Sequence, residues 1–136
     1  MNDLNTSVKN SYKTELDGLV VDGHEVPVYA HLVPIGSPSS TRYYILIQEI
    51  ISSGREAKET QDRDVEVQAV IHTRGIAESG LLCDKIASNF LNAIYPNRQS
   101  IIGIETQLIS DNTLVDIDPS SKERIFERII RLRHYF

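Results

Sequence analysis

A chain of 136 residues is one domain by length, and long enough to bury about two-thirds of the surface its unfolded form exposes. Forty per cent hydrophobic and 24% charged residues is ordinary globular usage, no run nears the roughly 18 apolar residues of a membrane span, and a net charge of −5 speaks against a nucleic-acid binder. The single cysteine, Cys83, excludes an internal disulfide framework, and the polar first ten residues lack a signal-peptide core, so no leader is expected.

Positions 3–16 predict a first helix. Leu4, Val8, Tyr12 and Leu16 recur every fourth residue and make a narrow apolar stripe, with Gly18 as the stop. Positions 19–21 and 24–28 flank Asp22-Gly23, a strong two-residue hairpin signal because both turn positions need positive φ. Pro27 has no N–H, so the second strand should lie on an edge or leave the sheet there. Two prolines, a glycine and three serines make 33–42 a loop.

Positions 43–51, YYILIQEII, form the most apolar run. Its β-branched and aromatic residues favour a strand buried on both faces, hence central. Positions 52–64 carry three basic and four acidic residues, with Ala57 as the one small apolar residue, and should be a long mobile hairpin loop.

The stretch 65–95 organises the chain. Val65, Val67, Ala69, Ile71 and Thr73 alternate with their neighbours as in a half-buried strand. Gly75 and Gly80 punctuate a turn. Leu82, Cys83, Ile86, Ala87, Phe90, Leu91 and Ile94 then recur at helical spacing, and Pro96 stops the run. Each large side chain on that stripe contributes roughly 1.5–3 kcal/mol when buried.

Positions 104–109 alternate loosely, break at Asp111-Asn112 and resume at 114–117, which reads as a bulged or interrupted strand. Asp118-Pro119-Ser120-Ser121 is a turn. The last segment is ambiguous. Ser120 and Glu123 fit a capping box, and Ile125, Phe126, Ile129, Ile130 and Arg133 share a helical face. Against this, Ile130, Leu132, His134 and Phe136 alternate with Arg131, Arg133 and Tyr135.

Chemistry is sparse. The histidines at 24, 31, 72 and 134 have no metal-ligand spacing to one another or to Cys83, and each reads better as a surface or packed residue. Cys83 sits on the apolar stripe with no adjacent base, so it reads as a small hydrophobe. Asp116 and Asp118 form at most a weak cation site, and turn formation before Pro119 accounts for them better. Tyr43 and Tyr44 have the faces to stack on a base, but strand burial is the better reading. No phosphate loop or nucleophile elbow is present, so no enzyme, cofactor or metal is expected.

Charge is uneven. Lys122, Arg124, Arg128, Arg131 and Arg133 oppose only Glu123 and Glu127, so the last segment is +3 and the rest of the chain −8. That is either a basic edge for an acidic partner or DNA, or a sheet face whose arginines lie over apolar neighbours; the second is preferred.

Several local patterns follow one another on this frame. They are Val26-Pro27-Val28-Tyr29, a Pro/Gly loop, Tyr43-Tyr44-Ile45-Leu46-Ile47, a charged loop and the strand from Val65 to Ile71. The helix with Cys83-Asp84-Lys85-Ile86-Ala87 comes next, and Arg128-Ile129-Ile130-Arg131-Leu132-Arg133-His134 closes the chain. Together they resemble the tail-completion or tail terminator proteins of long-tailed bacteriophages and related prophages, from about Tyr12 to Phe136. The Ser120–Glu123 capping box departs from that pattern. The resemblance implies a strand over 125–135.

The expected fold is therefore α+β: a mostly antiparallel sheet of four to five strands with an extra hairpin, packed against two helices, all in one domain spanning 1–136. The resemblance further implies a homo-oligomeric ring, commonly a hexamer, that caps the tail tube, ends its polymerisation and forms the head–tail joining surface. Implied partners are further copies of the chain, the tail tube protein and a head–tail connector or stopper protein. DNA would pass through the lumen without specific binding, as an acidic surface favours. The location implied is the head-proximal end of the virion tail, and the host cytoplasm during assembly, with no membrane. Pro27 at an edge and Arg55, Glu56, Lys58, Glu59 and Arg63 in the long loop are candidate contacts. A head–tail stopper or adaptor ring is the alternative, and a small ligand-binding module a more distant one.

Overall fold

The computed structural model describes residues 4–30, 42–54, 63–75, 78–96 and 99–136. Two helices lie on one face of a five-stranded sheet, with a two-stranded hairpin beside them. Helix α1 is Leu4–Leu16. The hairpin strands are β1, Val20–Val21, and β2, His24–Glu25. The sheet strands are β3, Val28–Ala30, β4, Tyr43–Gly54, β5, Arg63–Arg74, β6, Glu105–Ile117, and β7, Arg124–Tyr135. Helix α2, Ser79–Ile94, connects β5 to β6.

Local chemistry explains most of this. Val8, Tyr12 and Leu16 are fully buried along one line of α1, which ends before Gly18 at φ 70°. Asp22 and Gly23 have φ of 51° and 79°, the left-handed pair that a two-residue turn requires. Leu82, Cys83, Ile86, Ala87, Phe90 and Ile94 form the buried line of α2. Tyr95 leaves helical geometry at φ −135°, as a residue before proline must. The rings of Tyr12 and Phe90 stack 6.1 Å apart where the helices meet.

The sheet order is β3-β4-β5-β7-β6, and only the β3–β4 pair is parallel. Ile45, Ile71, Ala69 and Ile130 face the helices together, fixed by the pairs Ile45↔Ile71 and Ala69↔Ile130. One expectation is corrected here. The central strand is β5, not β4. Because β7 pairs along β5 from Asp64↔Tyr135 to Arg74↔Ile125, residues 69–73 of β5 are all buried. Over 43–48 of β4, the helix-facing Ile45 and Ile47 are fully buried, while Tyr44 and Leu46 are half-buried and Gln48 is exposed.

The expected loop over 52–64 is also shorter than the sequence suggests. Ser52↔Val65, Ser53↔Asp64 and Gly54↔Arg63 continue the β4–β5 ladder, because backbone pairing in an antiparallel ladder needs no apolar side chain. The remainder, 55–62, lies outside the described residues, as does most of the expected loop 33–42. Strand β6 is bulged rather than interrupted. The register shift falls between Leu108 and Ser110, not at Asp111-Asn112, which stay paired with Ile130 and Ile129. The last segment is a strand, and Glu123 is not used in a helix cap. Asp118 organises the turn before it by accepting from the Ser120 N–H at 2.9 Å and the Ser121 N–H at 3.2 Å.

Candidate functional site

The residues singled out in sequence as contacts do not gather at one place. Pro27 sits between β2 and β3, where its carbonyl accepts the Ile45 N–H at 2.9 Å. It lines a shallow groove of about 260 Å³ with Leu16, Val26 and Val28, beside the β3 edge of the sheet. Arg63 opens β5 opposite Gly54. Arg55, Glu56, Lys58 and Glu59 lie outside the described residues. A second depression of about 260 Å³ is lined by Gly75, Glu78, Ser79, Gly80, Arg124 and Phe126. Both fall below the ~300–1,000 Å³ of typical small-molecule pockets.

The sheet face turned away from the helices carries a charged lattice. Arg133 reaches Glu66 at 3.1 Å and Asp64 at 3.7 Å, and Arg131 reaches Glu66 at 3.5 Å. The Arg131 Nε–H donates to Gln68 at 2.7 Å, and Gln68 donates onward to Gln48 at 2.6 Å. The pairs Glu66↔Arg133 and Gln68↔Arg131 place these groups side by side on adjacent strands. On the helix side, Arg128 grips Asp111 through two N–H donors at 2.7 and 2.6 Å and meets Asp84 at 3.2 Å. Three of the five basic residues near the C-terminus are thus matched by acids of β5, β6 and α2. They form no free basic edge for DNA.

The histidines divide by burial. His134 is fully buried, hydrogen-bonded through Nε2 to the Tyr12 hydroxyl and through Nδ1 to the Thr106 hydroxyl at 2.9 Å. The Ser100 and Thr106 hydroxyls bond at 2.8 Å and continue this chain. Burial pushes the His134 ring down to about 4 and raises the Tyr12 phenol, so both are neutral at neutral pH. His72 stacks on Tyr44 with ring centroids 4.7 Å apart, and its Nδ1 lies 3.9 Å from Glu127 without a hydrogen bond. His24 packs on Tyr43 at 5.1 Å. His31 lies outside the described residues. Tyr43 and Tyr44 are both half-buried, in keeping with strand packing.

The other sequence candidates are occupied structurally. The Cys83 Sγ lies 3.6 Å from the Ile71 carbonyl, and burial pushes its thiol up to about 11. Arg74 holds Asp118 at 2.6 Å, which with the turn hydroxyl and amides of Ser120 and Ser121 keeps that carboxyl well below the usual range. Asp116 accepts the Ile117 N–H at 2.7 Å. Among the described residues, no three His, Cys, Asp or Glu side chains are arranged to hold a metal.

What the sequence reading missed is the β6 edge. This strand is the last in the sheet and is exposed over nearly its whole length. Leu108, Ile109, Leu114, Val115 and Ile117 are 38–58% exposed, and Ile104 just before them is 82% exposed. A soluble edge usually carries lysine or proline, or is short. The β6 sequence, ETQLISDNTLVDI, has no lysine, arginine or proline in 13 residues. That absence was visible in the sequence, but only the strand order gives it meaning.

The fold recurs in a virion particle. A chain of the solved structure titled "Virion of native gene transfer agent (GTA) particle" is similar to this one with a TM-score of 0.62 and 13% identity, over 100% of both chains. At that identity the likeness is one of fold. No protein-family model matches the chain, and no curated protein matches it.

Proposed function

We propose that this protein is a structural virion protein of a phage-like particle. Its copies close into a ring, commonly six-fold, that caps the finished tail tube, stops tube growth and presents the surface that joins the head connector. The observation that carries this reading is the whole-length likeness of fold to a chain of a virion particle. The exposed apolar edge of β6 supports it, since a subunit destined for assembly leaves such a surface for its neighbours. A ring needs heterologous contacts between two different surfaces of each subunit, and the sheet's two edges, β3 and β6 among the described residues, can supply them. The net charge of −5 suits a lumen through which DNA slides, because like charge lowers phosphate binding.

The experiment is deletion of the gene from a particle-producing strain. Tail tubes of uncontrolled length, or tails that fail to join filled heads, are the expected result. Attached tails of normal length overturn the proposal. Loss of head attachment with tube length still controlled moves the protein one layer up, to a stopper or adaptor ring.

A further inference from the structure

We infer that copies of this chain join head to tail by sheet continuation, with the β6 edge of one copy adding to the β3–β4 edge of the next. The inference rests on the ring reading above and names its interface.

Strand β6 uses one side for its ladder with β7 and, among the described residues, leaves the other side unpaired. Its exposed apolar residues fall on both faces of the strand. Leu108, Val115 and Ile117 stand opposite Leu132, Phe126 and Arg124, on the helix side. Leu114 stands opposite Glu127, on the other. A helix docked on either face covers one set and leaves the other in water. An added strand, whose neighbouring side chains also alternate between faces, covers both.

The opposite edge fits this role in direction and shape. Strand β3 runs parallel to β4, and the three antiparallel pairings that follow leave β6 antiparallel to both. A neighbour related by rotation about an axis along the strands therefore offers β6 in antiparallel sense, the slightly more stable pairing per residue. Strand β3 spans only Val28–Ala30, opposite Ile45, Leu46 and Ile47, so β4 beyond Ile47 has no partner on that side among the described residues. The groove lined by Lys13, Asp17, Glu25, Pro27 and Val28 lies beside this edge and presents polar as well as apolar groups to the incoming strand. The receiving edge offers Val28–Ala30 of β3 and Gln48–Gly54 of β4, so a ladder along it is at most about 34 Å long. A strip that long and about 10 Å wide on each partner buries roughly 700 Å² in total, below the ~1,000 Å² of a stable biological interface. Such a contact is weak alone and gains by closure of a ring.

The test is disulfide capture between copies of the full chain. Asn112→Cys, Leu114→Cys and Asp116→Cys place a thiol on the β6 face that Tyr29 shares, and Tyr29→Cys places one on β3. Each β6 variant is mixed with the β3 variant, both carrying tags of different mass, concentrated and oxidised. The buried Cys83 gives the background in wild-type chain. Mixed dimers from at least one pairing are expected, and Val115→Lys in the β6 partner should lower their yield by about tenfold, the ratio set by losing one half-exposed branched side chain and adding an edge charge. Dimers of β6 variants with themselves would mean a two-fold β6–β6 contact and overturn the inference. Absence of any mixed dimer also overturns it. Failure here with uncontrolled tails in the deletion strain removes only the interface, whereas mixed dimers with normal tails in that strain remove only the tail role.

Discussion

Tyr12 on α1 and His134 on β7 are hydrogen-bonded to each other across 122 positions of sequence. Both are fully buried, and Thr106 on β6 holds the other side of the imidazole. One ring thus ties the first helix to the last two strands. Tyr12→Phe keeps the aromatic contact with Phe90 and removes the hydroxyl, leaving the His134 Nε2 without its hydrogen-bond partner. The expected loss is about 1–3 kcal/mol, the desolvation penalty of an unsatisfied buried group. A urea titration checks this, and an unchanged midpoint would show the bond to be neutral.

The same imidazole makes stability fall on mild acidification. Burial lowers its pKa from 6.5 to about 4 in the folded chain. Between those values the unfolded state binds a proton that the folded state does not, so stability rises with pH across this window and is lost as pH falls through it. At about 1.4 kcal/mol per unit, the loss approaches about 3 kcal/mol near pH 4. Glu127 and Asp118, whose carboxyls are held below their ordinary 4.5 and 3.8, add losses of the same sign that set in from about pH 5 downward, so the upper part of the window belongs to His134. Unfolding free energies measured from pH 7 to 4 should show the slope, and His134→Gln should remove the part above about pH 5. A flat wild-type curve contradicts the assignment.

Ile86 and Phe90 are fully buried at the middle of α2. Truncation of either to alanine should destabilise the protein by about 2–5 kcal/mol through lost burial and the cavity left behind. A change under about 0.5 kcal/mol in denaturant would mean that the site collapses freely around the missing atoms.

Cys83 should resist thiol reagents in the native protein. With its pKa pushed up to about 11, about a thousandth of the thiol is ionised at pH 8, and the sulfur is buried as well. Labelling should follow global unfolding and accelerate in urea. Immediate stoichiometric reaction without denaturant would place that face of α2 outside.

Much of this architecture is legible locally. The stripe Val8, Tyr12, Leu16 on α1, the stripe from Leu82 to Ile94 on α2, and the Asp22-Gly23 turn are each set by a few neighbouring residues. Helical and strand periods, and the positive φ that a tight turn demands, are properties of short segments, so a sequence states them directly. The alternation of Ile130, Leu132 and His134 offered the strand β7 too, but a helical face competed with it over the same residues. Pairing with β5 and β6 on both sides resolved that contest in favour of the strand.

Which strand is central, and which is left at the edge, belongs to no segment. The run 43–51 is the more apolar, yet β5 sits in the middle because β7 joins it rather than β4. The arginines near the C-terminus give their own segment a charge of +3, and lie beside Asp64, Glu66 and Asp111 only once the ladders form. Leu114, Val115 and Ile117 would be covered in a central strand and are exposed here because β6 comes last. Sequence alone determined the elements and their apolar faces, through short-range sterics and periodicity. Tertiary structure decided burial, charge pairing and the open edge, because each depends on which distant strand lies alongside.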